Sequence, residues 1–264
     1  RKAKAIKQSH KHPNSNLVAS ATRDHSNNTV VKSNDLARAF YKVNLNEKRL
    51  MELLISRIHP QRTDNDFQTI EISAQLFSET FGIGRNNAFR FLVQAAHGLQ
   101  DAHIRLENNG VGDRFSLVGR VFDDPKKATV TCSIMPWVVP HLVGLKGRFT
   151  QYTLKHGAEF KIASTWRIFE LLVSWANSKN PLIGTKLLSV DDFREQLKTP
   201  KSYPFSMFKR RILVVAQNEL KELLNINLNI EYIKTSRKVT DLKFTYGEIA
   251  QKQLPLKGGD TKRK

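Results

Sequence analysis

Three consecutive cations, Lys209, Arg210 and Arg211, open a stretch whose outer face has the chemistry to read DNA. Wound at about 100° per residue, positions 206–224 place Phe208, Ile212, Val215, Ala216 and Leu223 on one side. Arg210, Val214, Gln217 and Lys221 fall on the opposite side. In a major groove an Arg bridges two guanine acceptors, a Gln pairs with adenine and a Val packs on a thymine methyl. Lys209 and Arg211 flank that row and are placed to meet phosphates. Every amphipathic helix has a solvated face, but such a face ordinarily mixes charge signs. Here no acid occurs between Lys198 and Gln217, whereas Lys198, Lys201, Lys209, Arg210 and Arg211 are all basic. The segment therefore predicts a DNA-reading helix.

The same plot over Arg85–Leu99 turns Phe89, Leu92, Val93, Ala96 and Leu99 inward and Asn87, Arg90 and Gln94 outward. Arg85, Asn86 and Asn87 stand at the start of this helix, where backbone N–H groups attract phosphate. The face is less basic and includes Phe91, so a second DNA contact and a protein interface are both open readings.

Catalysis has little support. His10 and His12 have the spacing of a metal-binding pair, as in nicking enzymes that also use a nucleophilic Tyr, but they sit in a polar tail. His97, His103, His141 and His156 are scattered with no Cys, Asp or Glu at ligand spacing, and no glycine-rich run matches a phosphate loop. No metal, cofactor or enzymatic activity is expected. Trp137, Trp166 and Trp175 lie among apolar neighbours and are expected in the core. A lone Cys132 excludes intrachain disulfides and suits a reducing cytoplasm.

The 264 residues suffice for two ordinary domains, and the formal charge of +19 favours a polyanionic partner. No apolar stretch approaches the roughly 18 residues of a spanning helix, and no apolar segment follows the basic opening as a secretory signal requires. Residues 1–28 read as a disordered basic arm and 247–264 as a basic tail.

Between these tails the chain repeats itself. Glu52-Leu53-Leu54-Ile55-Ser56 returns as Glu170-Leu171-Leu172-Val173-Ser174, 118 residues later. Ile72-Ser73 returns as Leu188-Ser189 and Phe89 as Phe208, at offsets of 116 and 119. Ordered matches at near-constant spacing indicate a duplicated module. The first copy reads as helices from Ser33 through Tyr41, Asn46–Ile58, Ser73–Phe81 closed by Gly82, and Arg85–Leu99. Strands follow at His103–Glu107, Arg114–Phe122 and Ala128–Ile134. The second copy reads as a helix over Ala163–Asn177, one capped by Ser189 with Asp192 in capping-box position, and the helix over Ser206–Leu224. Its strands, Asn227–Thr235 and Val239–Tyr246, meet at Ser236-Arg237-Lys238, which makes Arg237 and Lys238 the tip of a wing. Three helices followed by a hairpin is the order of a winged helix-turn-helix. The expected architecture is α+β, two tandem winged-helix domains at 29–148 and 149–246.

Further strings give the chain a resemblance. Val31-Lys32-Ser33-Asn34-Asp35-Leu36, Phe81-Gly82, Gly144-Leu145, Arg148-Phe149-Thr150-Gln151, Ser202-Tyr203, Phe208-Lys209-Arg210-Arg211 and Asn218-Glu219 are similar to the replication initiators of iteron-bearing plasmids, of the F-factor RepE type. The resemblance spans Val30 to Tyr246 and implies two pseudo-symmetric winged helices. It implies a bacterial cytoplasmic protein that binds directly repeated origin iterons as a monomer. As a homodimer, in equilibrium with the monomer, the protein would bind an operator inverted repeat and repress its own gene. Host replication-initiator and helicase-loading proteins are the implied partners, with chaperones a further candidate class; no membrane is involved. Ser202 to Arg211 would be the main reader of the iteron, and the helix starting at Arg85 would contact the adjacent part of the site. Which of Lys209, Arg210 and Arg211 reaches a base stays open. The rival readings are a plain transcriptional repressor, with inverted-repeat binding alone, and a nicking rolling-circle enzyme using Tyr41, Tyr152 or Tyr203.

Overall fold

Three times in this chain a serine ends a strand and caps the next helix, and these corners organise both halves of the fold. The computed structural model describes residues 28–58, 68–108, 111–147, 149–176, 183–200 and 202–248. The chain divides into two units, Arg1–Glu159 and Phe160–Lys264. The expected arm at 1–28 and tail at 247–264 lie almost wholly outside the described residues.

In the first unit β1 (Thr29–Ser33) leads into α1 (Asn34–Arg38) and α2 (Leu45–Ser56). Then come β2 (Gln68–Ser73), α3 (Ala74–Phe81), α4 (Arg85–Asp101), β3 (Ile104–Asn108), β4 (Val111–Phe115), β5 (Val118–Asp124) and β6 (Thr129–Ile134). A 3-10 turn (Pro136–His141), β7 (Phe149–Thr153) and α5 (Leu154–Ala158) complete it. Ser33 Oγ accepts from Leu36 N and Ser73 Oγ from Leu76 N, each at 3.1 Å, satisfying amides that a helix start leaves open. Asn44 and Glu47 form a reciprocal capping box for α2. Gly82, in the left-handed region at φ 62°, ends α3.

The sheet order β2-β6-β5 backs helices α2, α3 and α4, whose Leu50, Leu53, Leu54, Phe77, Leu92 and Ala96 are buried. That is the winged-helix arrangement, with β5 and β6 as the wing. A separate hairpin, β3 with β4, is inserted between α4 and the wing. The expected single strand over Arg114–Phe122 is therefore two, because the chain turns at Ser116-Leu117 and its halves join different sheets. The helix expected through Tyr41 stops at Arg38, since Phe40 exchanges backbone hydrogen bonds with Arg105 at 2.8 and 2.9 Å. Trp137, expected in the core, is 63% exposed: the 3-10 turn aims its buried side, Val138 and Val139, inward instead.

The expected boundary at 148/149 falls inside the first unit. There β7 pairs antiparallel with β1, Thr29 opposite Thr153 and Ser33 opposite Phe149. Fully buried Glu52 fastens this pair to α2. Its carboxylate accepts from Lys32 Nζ of β1 at 2.8 Å to both oxygens, from Lys48 Nζ at 2.6 Å and from Tyr152 Oη of β7 at 3.0 Å.

The second unit runs α6 (Ala163–Trp175), β8 (Gly184–Ser189), α7 (Val190–Gln196) and α8 (Phe205–Phe208). A π-helical turn (Lys209–Leu213) leads into α9 (Val214–Leu224), followed by β9 (Ile226–Thr235) and β10 (Lys238–Glu248). Ser189 Oγ caps α7 by accepting from Asp192 N at 3.0 Å. The sheet order β8-β10-β9 matches that of the first unit, first strand beside third. Its core is aromatic: Phe193 packs against Phe244 at 4.8 Å and against Phe208 and Trp175, each at 6.3 Å. The repeated Glu-Leu-Leu string is one structural device used twice. Glu170, buried like Glu52, accepts from Arg167 one turn earlier at 2.7 Å. Ser56 and Ser174 each donate to the carbonyl three residues back, Leu53 and Leu171, at 2.8 Å.

Candidate nucleic-acid interface

In the second unit α7, α8, the π-turn and α9 form the helix-turn-helix, and β9 with β10 forms the wing. Phe208, Leu213, Ala216 and Leu220 are the buried anchors of the second helix. Lys209, Arg210, Arg211, Val214, Asn218, Lys221 and Glu222 are exposed. Two of the three cations lean on tyrosines. Lys209 Nζ lies 4.4 Å from the ring centre of Tyr232, and the Arg211 guanidinium lies 6.0 Å from that of Tyr203.

The wing tip is basic as expected. Arg237 and Lys238 are exposed, Ser236 makes the bend in the left-handed region at φ 58°, and Thr235 pairs with Lys238. Between this tip, α7 and the segment Tyr203–Phe205 lies a groove of about 630 Å³ lined in part by Arg194, Arg237 and Lys238. Arg194 is held there by donating to Tyr203 O at 2.5 Å and by covering Phe208, ring centre at 4.9 Å. Ser202 is exposed and Tyr203 half-buried at the same edge, whereas Lys201 lies outside the described residues.

One expected reader is turned away. Gln217 Nε2 donates to Leu228 O of β9 at 2.9 Å, so its amide belongs to the helix–sheet packing. Asn218 takes the exposed position beside it. Reading the sequence at a constant 100° missed this, along with the supporting Tyr232 and Arg194. The available signal was the spacing of Leu213, Ala216 and Leu220, a buried helical stripe that is out of phase with Phe208.

The first unit offers a different surface. Arg85, Asn86, Asn87 and Arg90 are exposed together on α4, with Arg90 donating to Asn87 Oδ1 at 3.0 Å and covering Phe91 at 4.6 Å. Its wing turn carries Asp123 and Asp124 before Lys126 and Lys127. Asp124 Oδ1 accepts from the amides of both lysines, at 2.9 and 3.3 Å, which uses part of its charge to hold the turn. Exposed cations are thus denser on the helix and wing tip of the second unit.

Residues 29–173 match the family model described as initiator replication protein, WH1, and residues 189–246 match initiator Rep protein, WH2. The chain belongs to the initiator replication protein family. A replication initiation protein of Escherichia coli is 22% identical to this initiator-family chain over 207 residues, which is 76% of the chain and 65% of the relative. The chain thus spans about two thirds, and not the whole, of that relative's length. Among solved structures, the Pi initiator protein in complex with iteron DNA superimposes with a TM-score of 0.71 at 18% identity. The match covers 84% of this chain and 97% of Pi, and it fixes the shared fold, two winged-helix domains.

Proposed function

We propose that this chain is a plasmid replication initiator that binds the directly repeated iterons of its origin as a monomer, and that a dimeric form represses its own gene on an inverted repeat. The observation that carries the reading is an acid-free sequence from Lys198 to Gln217 whose residues from Phe205 onward form the exposed helix of a winged-helix domain of this family, beside a wing tipped by Arg237 and Lys238. The helix supplies bidentate donors for base edges and the wing supplies phosphate contacts. The first winged helix, through Arg85, Asn86, Asn87 and Arg90, makes the weaker adjoining contact.

The protein acts by binding and not by catalysis, bending DNA and recruiting host initiator and helicase-loading proteins in the bacterial cytoplasm. In support, two of the three tyrosines considered as nucleophiles are committed to the core of the first unit. Tyr41 accepts from buried Lys48 at 2.8 Å, and Tyr152 donates to Glu52. Tyr203 carries Arg211. His10 and His12 lie outside the described residues. Among those residues no helix is long and apolar enough to cross a membrane.

Fluorescence anisotropy against fragments tiling the DNA that flanks the gene, at two salt concentrations with shuffled controls, tests the reading. Salt-sensitive binding of one protein per direct repeat is expected. Dimeric binding to an inverted repeat alone would leave a plain repressor, and equal binding to every fragment would refute sequence-specific initiation.

A further inference from the structure

The DNA-reading helix is not a regular α-helix where its cations sit. Val214 N donates to Lys209 O, five residues back, and the turn from Lys209 to Leu213 is π-helical. Such turns are rare and recur at functional sites. Here the turn changes which residues share a face. In an uninterrupted helix the residue four after buried Phe208 is Ile212, and Gln217 follows Arg210 on the outer row. The observed anchors are Phe208, then Leu213 five residues on, then Ala216 and Leu220 at ordinary helical spacing. The five-residue turn delays the phase by one position. Everything after it is rotated by one residue relative to everything before it.

Two consequences follow for the outer face. The arc between two successive buried anchors holds four residues instead of three, so Lys209, Arg210 and Arg211 are all exposed. In a regular helix three consecutive side chains spread over about 200° of arc, which would carry Arg211 toward the packed side. Downstream, the delay moves Gln217 to the flank, where it bonds Leu228 O, and brings Asn218 outward. Asn has the same bidentate donor–acceptor match to adenine as Gln.

Resting on the initiator reading above, we propose that Arg210, Arg211, Val214 and Asn218 form the base-reading row, and that the π-turn sets its specificity by placing Asn218 in that row in place of Gln217. Lys209, held over Tyr232, stands at the flank and meets phosphate.

The test uses the full chain and the specificity ratio, affinity for the best-bound native fragment over affinity for its shuffled version, which does not depend on the folded fraction. Asn218→Ala lowers the ratio by about ten-fold, within the range for loss of a bidentate base contact. Gln217→Ala lowers the melting temperature and leaves the ratio within about two-fold. Deleting Ile212 places Leu213 four residues after Phe208 and Asn218 seven after Arg210, so a regular helix keeps Asn218 outward and turns Arg211 toward the packed side, with every charge kept. That variant retains affinity for shuffled DNA, and Asn218→Ala lowers its ratio by about a further ten-fold. An unchanged ratio in Asn218→Ala overturns the proposal, as does a loss confined to Gln217→Ala. Should the deletion variant not fold, the Asn218 and Gln217 pair decides alone. If the unaltered protein itself prefers no fragment, the initiator reading has failed, which is a different outcome from a specific protein indifferent to Asn218.

Discussion

Replacing Glu52 by Gln removes one negative charge from a site where two buried ammonium groups converge. Lys32, Lys48 and Glu52 are essentially inaccessible to solvent, and Glu52 receives four short hydrogen bonds from Lys32, Lys48 and Tyr152. Gln keeps the shape but exchanges one acceptor oxygen for an NH2 donor. At least one bond from a lysine or from Tyr152 then becomes donor against donor. Charge-assisted bonds each contribute about 1.5–3 kcal/mol, and breaking a buried pair by removing one partner costs about 3–5 kcal/mol. We expect Glu52→Gln to destabilise the first unit by about 3–5 kcal/mol. Because the chain has two units, a single global melt would blur this effect, so the assay is hydrogen exchange by mass spectrometry on the whole protein. Amides of β1, α2 and β7 should exchange on the order of a hundred- to a thousand-fold faster, while those of α6 and β10 keep their rates. The all-apolar triple variant Lys32→Met, Lys48→Met and Glu52→Leu should come back close to the original stability. An increase of less than about ten-fold in β1 and β7 for Glu52→Gln would refute the reasoning and show that packing alone holds the clasp.

Further expectations concern DNA and backbone. Arg210→Ala should cost about 1–3 kcal/mol on the specific site and relax preference at one base pair, whereas Lys209→Ala should weaken all sequences alike and flatten the salt slope by about one; titrations at several salt concentrations separate the two. Gly82→Ala meets no atom within 4 Å, so its cost of about 1–2 kcal/mol is that of a Cβ in the left-handed region, measurable by urea denaturation. Burial holds His141 and His156 below the usual histidine pKa, against the raising effects of Asp35 and Asp113 on the first and Glu159 on the second. Lowered folded-state values mean that the unfolded chain binds more protons below about pH 6.5. Stability of the first unit is therefore complete above that pH and declines as pH falls through it. Denaturation midpoints at pH 7.5 and 5.5 should differ accordingly, and His141→Gln with His156→Gln should remove most of the difference.

Long periodic helices were legible in the sequence because their caps and apolar spacing agree. Ser73 and Gly82 bracket α3 as expected, and Arg85 opens α4. The short strands β1, β2, β7 and β8 were hidden, since each is only five or six residues and runs directly into the N-cap position of the next helix. Missing β1 and β7 misplaced the domain boundary. Alternation continuing across Ser116-Leu117 concealed the break between β4 and β5, because the pattern reports which face a residue takes and not which sheet it joins. On the helix of the second unit the exposure of Arg210, Arg211 and Val214 followed from the sequence, whereas the inward bond of Gln217 did not. A constant angular step has no way to register an inserted residue.

The pairing of β1 with β7 also dictates when the first unit can be finished during synthesis. Thr29 must wait for Thr153, and Lys32 is buried only once Thr150 and its neighbours have arrived beside it. Helices α2, α3 and α4 and the β2-β6-β5 sheet use partners that emerge earlier and can pack while translation continues. The leading strand thus stays unmatched on the ribosome until nearly the whole unit has left the exit tunnel. At about 5–20 residues per second, closing this loop requires several seconds of elongation after β1 is made. During that interval the edge of β1 presents unpaired backbone groups, which is the kind of edge that other strands can pair with.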